Sequence, residues 1–141
     1  VQGGRLDQVR SAECGMRNVK TMSNENLKQR TKRFALRVIK LVESLPSDQT
    51  CRILGKQLLR SGTSVGANYR AACRSKSPAD FISKMGTVEE EADESGYWME
   101  LLVEAGKIKS AKLSALMQEA GELTAIAVSS INTARKSPAR R

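Results

Sequence analysis

The residues best suited to chemistry lie in one acidic run, Glu89-Glu90-Glu91-Ala92-Asp93-Glu94, which is followed by Glu100 and Glu104. Carboxylates inside a helical bundle can hold two metal ions, but such sites pair Glu with Glu-x-x-His motifs. The chain has no histidine among its 141 residues, which excludes Ser-His-Asp and Cys-His dyads and every imidazole metal ligand. A phosphate loop of the form GxxxxGK[ST] is also absent. We therefore predict a protein that is not an enzyme and has neither metal nor cofactor.

Cys14, Cys51 and Cys73 are odd in number and show no CxxC spacing, which argues against a disulfide framework or a zinc site. No apolar run approaches the ~20 residues of a membrane span, and no secretion signal is visible. These features predict a cytoplasmic protein. Residues 1–22 lack helical periodicity, and Met22 resembles the first residue of a naturally translated chain. We therefore expect residues 1–22 to be a disordered N-terminal extension.

From residue 23 onward, apolar residues recur at alternating steps of three and four, which is the pattern of packed helices. The first helix is predicted from about Asn24 to Leu45, and the second begins after Ser47 as its N-cap. The third begins at Ser77-Pro78-Ala79-Asp80, with Ser77 as N-cap and Pro78 at the first position, and ends near Gly106. The fourth begins after Ser110. The predicted buried seam of the second helix is Cys51, Leu54, Leu58, Ser61, Val65, Asn68 and Ala72, and that of the third is Phe81, Met85, Val88, Ala92, Ser95, Met99 and Leu102. Second apolar stripes are predicted to widen both buried faces: Leu59, Gly62, Gly66 and Tyr69 on the second helix, and Ile82, Trp98 and Leu101 on the third.

Short connections make consecutive helices antiparallel neighbours, so the sequence predicts an all-α fold, an antiparallel up-down-up-down four-helix bundle over residues 23–137. Residues 138–141 form a basic tail. Gly62 and Gly66 lie four apart on the second helix, where each glycine costs roughly 1 kcal/mol relative to alanine. We interpret them as a close contact between helices and expect Gly62→Leu to disrupt packing of the second helix on the third. Asn68, placed on the seam, is expected to fix register.

Antiparallel pairing about the turn at Ser77 brings residues of the second helix opposite the acidic run. It places Arg60 near Asp93 and Glu94, Ser64 near Glu90, and Asn68 near Gly86 and Thr87.

Three stretches carry a resemblance to a known family: Ser64-Val65-Gly66-Ala67-Asn68-Tyr69-Arg70-Ala71-Ala72, Asp80-Phe81-Ile82, and Val88–Glu94 with Tyr97-Trp98. They resemble the bacterial four-helix bundle proteins of 23S ribosomal RNA intervening sequences. Many members have Ala-Asn-Ile-Ala-Glu-Gly where this chain has Ala67–Ala72, so the family's Glu is Ala71 here. The resemblance covers roughly 24–136. It implies a cytoplasmic homo-oligomer, a pentamer in known structures, without established enzymatic activity. A related bundle binds nucleic acid beside a reverse transcriptase. The motif positions with an implied structural role are Arg60, Gly62, Ser64, Gly66, Asn68, Glu90 and Glu94.

The charge distribution suggests where a partner binds. The chain has 24 Lys and Arg against 15 Asp and Glu, a net charge of +9. On the first helix, five basic residues lie off the apolar seam: Lys28, Lys32, Arg33, Arg37 and Lys40. We predict that they contact the phosphates of RNA or DNA, and an ordinary solvated basic face is the equally weighted alternative. Because only 4% of residues are aromatic, recognition would use backbone and shape. A structural or adaptor oligomer with a protein partner is the second hypothesis.

Overall fold

The computed structural model describes residues 26–137, which contain four helices and no strand. In chain order the helices are α1 (Leu27–Glu43), α2 (Gln49–Cys73), α3 (Pro78–Glu104) and α4 (Ser110–Lys136). The prediction of an all-α fold is confirmed for this part of the chain, and the helix packing is consistent with a bundle. The predictions for residues 1–22, for 23–25 at the start of the bundle and for the tail 138–141 lie outside the described residues.

The ends of α3 follow from its sequence. The Ser77 hydroxyl accepts a hydrogen bond from the backbone N–H of Asp80 at 3.0 Å, and Pro78 occupies the first helical position. This hydrogen bond satisfies one of the backbone N–H groups that have no partner in the first turn of a helix. Proline has no N–H group, so it leaves no unpaired donor at that position. After α3, Gly106 adopts a φ of 74°, which glycine reaches without steric cost. The predicted start and stop of the third helix are confirmed.

The start of α2 differs from the prediction by one residue. Asp48, not Ser47, is the N-cap, and its carboxylate accepts a hydrogen bond from the backbone N–H of Cys51 at 2.8 Å. Both residue types favour this position, but a carboxylate also interacts with the positive end of the helix dipole. The N–H of Cys51, and after it the Lys107 ammonium group, lower the pKa of Asp48.

The core is built from one face of each helix. The predicted seam of α3 is confirmed at every position, because Phe81, Met85, Val88, Ala92, Ser95, Met99 and Leu102 are all buried. On α2 the second apolar stripe predicted from the sequence is confirmed at Tyr69, whereas Asn68, predicted on the first seam, is not fully buried. Tyr69 is buried and Asn68 is half-buried, with its amide donating to the backbone carbonyl of Ser64 at 2.8 Å. The reason is that α2 packs against both α1 and α3, so its buried face is wider than one seam.

Gly62 and Gly66 of α2 mark a close helix contact, as predicted, but the neighbour is α1. A Cβ added at Gly62 would lie 2.8 Å from Cγ1 of Val38, and one at Gly66 would lie 3.1 Å from Oγ1 of Thr31. The expectation that Gly62 packs against the third helix is therefore wrong. Periodicity along one helix indicates that a face is buried, but it does not identify the helix that covers it.

Packing is most extensive between α2 and α3 and between α3 and α4, and it is sparse between α1 and α4. At the α2–α3 contact, the buried Ser95 hydroxyl donates to the Ser61 hydroxyl at 2.9 Å. In the part of the chain that the structure describes, no helix combines the length and apolar character needed to cross a bilayer.

Candidate functional site

Helix α1 carries most of the candidate binding residues, with six basic side chains and one acidic side chain, Glu43. Its buried residues, among them Phe34 and Val38, hold one face of the helix against the core. Lys32, Arg33, Arg37 and Lys40 are exposed, and Lys28 is half-buried. The structure therefore places all five predicted residues outside the core.

The five cations do not form a single surface. At about 100° per residue, Lys32 and Arg37 are separated by about 140° around the helix axis. Lys28 and Lys32 consequently lie on the side that faces α2, whereas Arg37 and Lys40 lie on the side that faces α4. Each pair lines a separate groove, and each groove receives a further cation from the neighbouring helix.

The α1–α2 groove has a volume of about 460 Å³. Arg70 of α2 lines it opposite Lys28 and Lys32. The remaining lining residues are mostly small or polar: Gln29, Thr31, Ala35, Thr63, Gly66 and Ala67. Sequence reasoning missed Arg70 as a binding residue, although it lies inside the stretch that carries the family resemblance.

The α1–α4 groove has a volume of about 410 Å³ and a different character. Arg37, Lys40 and Lys112 line it together with an apolar surface formed by Leu41, Ile108 and Leu116; Ser44 and Ala115 complete the lining. Lys112, in the first turn of α4, was also missed, because nothing in its own segment shows that α4 lies beside α1.

The cations in the two grooves differ from the four basic residues that form ion pairs in the described part of the chain. Within residues 26–137, the ion pairs join Arg30 to Glu119 and Glu122, Arg60 to Glu91 and Glu94, Lys84 to Asp80, and Lys107 to Asp48. None of these pairs includes a groove cation, that is Lys28, Lys32, Arg70, Arg37, Lys40 or Lys112. An anion approaching either groove therefore meets charge that no acidic side chain in this part of the chain neutralises.

Arg30 shows the contrasting case of a basic residue used for structure. Its guanidinium donates to both carboxylate oxygens of Glu119, at 2.8 and 2.9 Å, and to Glu122 at 2.6 Å. The hydrogen bond to Glu119 is the main cause that raises the pKa of Arg30. This two-pronged contact is a strong polar interaction, and it ties α1 to α4, where packing is sparse.

The acidic run of α3 pairs with α2. Arg60 forms ion pairs with Glu91 and Glu94, and the indole N–H of Trp98 donates to Glu94 at 3.0 Å. The indole, followed by Arg60, lowers the pKa of Glu94. Asp93, which the sequence placed near Arg60, is instead exposed, because it lies about 100° around the helix from Glu94.

The other motif positions have local roles. Glu90 is exposed, and the Ser64 hydroxyl donates to the backbone carbonyl of Arg60 at 2.7 Å within its own helix. Gly62 and Gly66 form the α1–α2 contact described above. These residues shape helices and contacts, whereas the groove cations line the two open grooves.

The aromatic residues lie away from the basic grooves. Phe34, Tyr69 and Phe81 are buried. Tyr97 and Trp98 form an edge-to-face pair with ring centroids 5.1 Å apart, on the acidic helix α3. Neither groove thus has an aromatic ring in its lining.

Candidate catalytic and metal-binding groups are few. Over residues 26–137, no group of three or more Cys, Asp or Glu side chains is arranged to hold a metal ion. The Cys51 thiol is only 2% exposed, and burial raises its pKa, which makes the reactive thiolate less accessible.

These features define a small all-α helical protein with a strongly basic first helix and an acidic third helix. A family model described as 23S rRNA-intervening sequence protein matches residues 24–129. The chain belongs to this family, and the family resemblance predicted from the sequence is confirmed.

A solved structure supports the same assignment. The crystal structure of a protein of unknown function from the S23 ribosomal protein family of Bacteroides thetaiotaomicron is 36% identical to this chain, with a TM-score of 0.71. The match covers 75% of this chain and 98% of that one. A comparison with curated proteins finds no match.

Proposed function

We propose that this protein binds RNA or DNA through the basic side chains of α1 and performs no catalysis. The observation that carries this proposal is the set of α1 cations Lys28, Lys32, Arg37 and Lys40, which form no ion pair within residues 26–137. Unpaired surface cations destabilise a compact protein by mutual repulsion unless an anionic partner binds them. A phosphate backbone supplies such anions at regular spacing.

Recognition in this proposal is by backbone and shape. Proteins that read unpaired bases stack them on exposed aromatic rings. Three of the five aromatic side chains are buried, and the other two, Tyr97 and Trp98, stand beside Glu94 on acidic α3, where a phosphate would be repelled.

The same proposal includes a bundle whose consecutive helices alternate in direction. The cross-helix contacts support this arrangement. Asp48 at the start of α2 contacts Lys107 just after α3, while Arg60 and Ser61 in the middle of α2 contact Glu94 and Ser95 in the middle of α3.

Self-association in the cytoplasm, as a pentamer, completes the proposal. Large apolar side chains are exposed on each of the described helices: Leu36, Ile53, Tyr97 and Val128. The basic α1 and the acidic α3 are complementary in charge, which favours contact between copies of the chain. The Cys51 thiol is not in a disulfide, which agrees with a reducing compartment. Light scattering at micromolar concentration tests the assembly, and a mass of 15.4 kDa would contradict it.

The binding proposal is tested with two variants of equal charge. One replaces the five predicted binding residues of α1, which are Lys28, Lys32, Arg33, Arg37 and Lys40, with Gln; the control replaces five cations elsewhere, namely Arg52, Lys56, Lys109, Arg135 and Lys136. Affinity for short single-stranded and duplex RNA and DNA is measured by fluorescence anisotropy at several salt concentrations. Each lost phosphate contact should weaken binding about 5- to 8-fold at about 0.1 M salt, because log K changes by about 0.7–0.9 per contact and per tenfold change in salt. Equal losses in the two variants would contradict the assignment to α1.

A protein partner is the second candidate, and the α1–α4 groove favours it. Leu41, Ile108 and Leu116 give this groove an apolar surface, beside which Arg37 and Lys40 stand. An acidic amphipathic helix has the complementary chemistry. If the wild-type protein binds none of the nucleic acids, this adaptor function becomes the better account.

A further inference from the structure

We infer that the α1–α2 groove is the phosphate-binding site of this surface and that Arg70 of α2 is one of its binding residues. This inference rests on the proposed nucleic-acid binding and specifies which of the two flanks of α1 performs it. The ligand is a backbone phosphate of RNA or DNA, held between two helices.

Three cations converge on this groove from both of its walls. Lys28 and Lys32 are four residues apart, so they stand one above the other on the same flank of α1. Arg70 faces them from α2, and all three line the groove. A guanidinium and two ammonium groups around one cavity suit a phosphate, because the guanidinium can bind two of its oxygens at once.

The close contact between α1 and α2 explains this convergence. An added Cβ at Gly66 would already lie 3.1 Å from Thr31, so a larger residue there would separate the two helices. Lys32 directly follows Thr31, and Arg70 lies one turn after Gly66. The glycine therefore brings the neighbouring cations to opposite sides of one groove, while the short side chains of Ala35 and Ala67 leave room between them.

The end of α1 adds a favourable potential. Lys28 and Gln29 belong to the first turn of the helix and line the groove, so the positive end of the helix dipole lies beside it. No acidic residue occurs in that first turn. A bound phosphate would thus interact with the helix dipole as well as with the three side chains.

The α1–α4 groove is the less suitable of the two, although it also has three cations. Much of its lining is Leu41, Ile108 and Leu116, and a phosphate placed against apolar side chains loses hydration without gaining hydrogen bonds. Arg30 on the same flank of α1 is already neutralised by Glu119.

The experiment compares two triple variants that lose the same charge. The first is Lys28→Gln with Lys32→Gln and Arg70→Gln, and the matched control changes Arg37, Lys40 and Lys112 to Gln. Helicity and melting temperature are recorded first for the full chain, and affinity for short RNA and DNA is then measured across salt concentrations. We expect the first variant to lose roughly 100- to 500-fold in affinity at about 0.1 M salt, with a salt slope smaller by about 2 to 3. The control should lose less than about tenfold, because it removes long-range attraction without a phosphate contact.

Single substitutions on α2 give an independent test of Arg70. Arg70→Gln should lower affinity about 5- to 8-fold and reduce the salt slope by about 1, whereas Arg74→Gln, one turn further along the same helix, should leave both nearly unchanged. If the wild-type protein binds and the two triple variants lose equal affinity, the groove assignment is overturned while nucleic-acid binding stands. If the wild-type protein binds no nucleic acid, the proposed function itself is overturned.

Discussion

The contact between Gly62 and α1 provides the sharpest prediction about stability. A Cβ at this position would lie 2.8 and 2.9 Å from the two Cγ atoms of Val38 and 3.1 Å from its Cβ. Val38 is fully buried, and a β-branched side chain in a helix has one strongly preferred rotamer, so it has little freedom to move aside. Overpacking of this kind costs about 1–3 kcal/mol. Gly62→Ala also gains about 1 kcal/mol of helix propensity, so we expect a net destabilisation of about 1 kcal/mol.

Gly121→Ala is the matched control, since Gly121 lies within α4 and a Cβ there would meet no atom of residues 26–137 within 4 Å. This variant should gain the propensity term alone, about 1 kcal/mol. The propensity terms cancel in the difference between the two variants, which therefore measures the overlap with Val38. Urea denaturation at one fixed protein concentration gives both values.

A double-mutant cycle identifies the atoms responsible. Val38→Ala removes both Cγ atoms, so Gly62→Ala should become neutral or stabilising in that background, with a coupling energy of about 1–3 kcal/mol. If Gly62→Ala is stabilised as much as Gly121→Ala, the account of a tight α1–α2 contact is refuted.

Three further predictions concern polar contacts. Arg30→Lys keeps the charge but loses the two-pronged geometry, so we expect a loss of about 1–2 kcal/mol by urea denaturation; unchanged stability would contradict the structural role. Ser61→Ala should cost about 0.5–1.5 kcal/mol, and adding Ser95→Ala should cost less than the sum of the single changes; strict additivity would argue against their hydrogen bond. The pKa of Glu94 is lowered below 4.5 in the folded protein, so its charged form stabilises the fold above about pH 4.5. This stabilisation is lost as the pH falls through the pKa that Glu94 has in the folded protein. Trp98→Phe removes the indole hydrogen bond, which is the main cause of the lowered pKa. The difference in free energy of unfolding between wild type and this variant should therefore become smaller as the pH falls from about 6 to about 3. A difference that stays constant would contradict this cause.

The fold was largely predictable where local patterns determine it. The seam of α3 and the capping residues Ser77 and Gly106 depend on spacing and on intrinsic conformational preference, and the structure agrees with both. The prediction was less accurate for α2. The wide buried face was predicted and Tyr69 is buried on it, but Asn68 is only half-buried, and Gly62 contacts α1 rather than α3, because the sequence does not show which neighbour covers each part of that face.

The candidate site was predictable only in part, for a similar reason. The α1 cations stand out in the sequence because they lie off the apolar seam. Their division between two grooves depends on which helices flank α1, and Arg70 joins Lys28 and Lys32 only through a tertiary contact. The sequence alone contains no direct signal that two residues on different helices line the same groove.

The measurement that tests the central claim most directly is the affinity of the wild-type protein for short RNA and DNA duplexes and single strands as a function of salt. If α1 binds phosphates, log K should fall linearly with log salt, with a slope of at least about 2 in magnitude, and with similar values for unrelated sequences. Absence of binding at low salt, or an affinity that does not change with salt, would contradict the account.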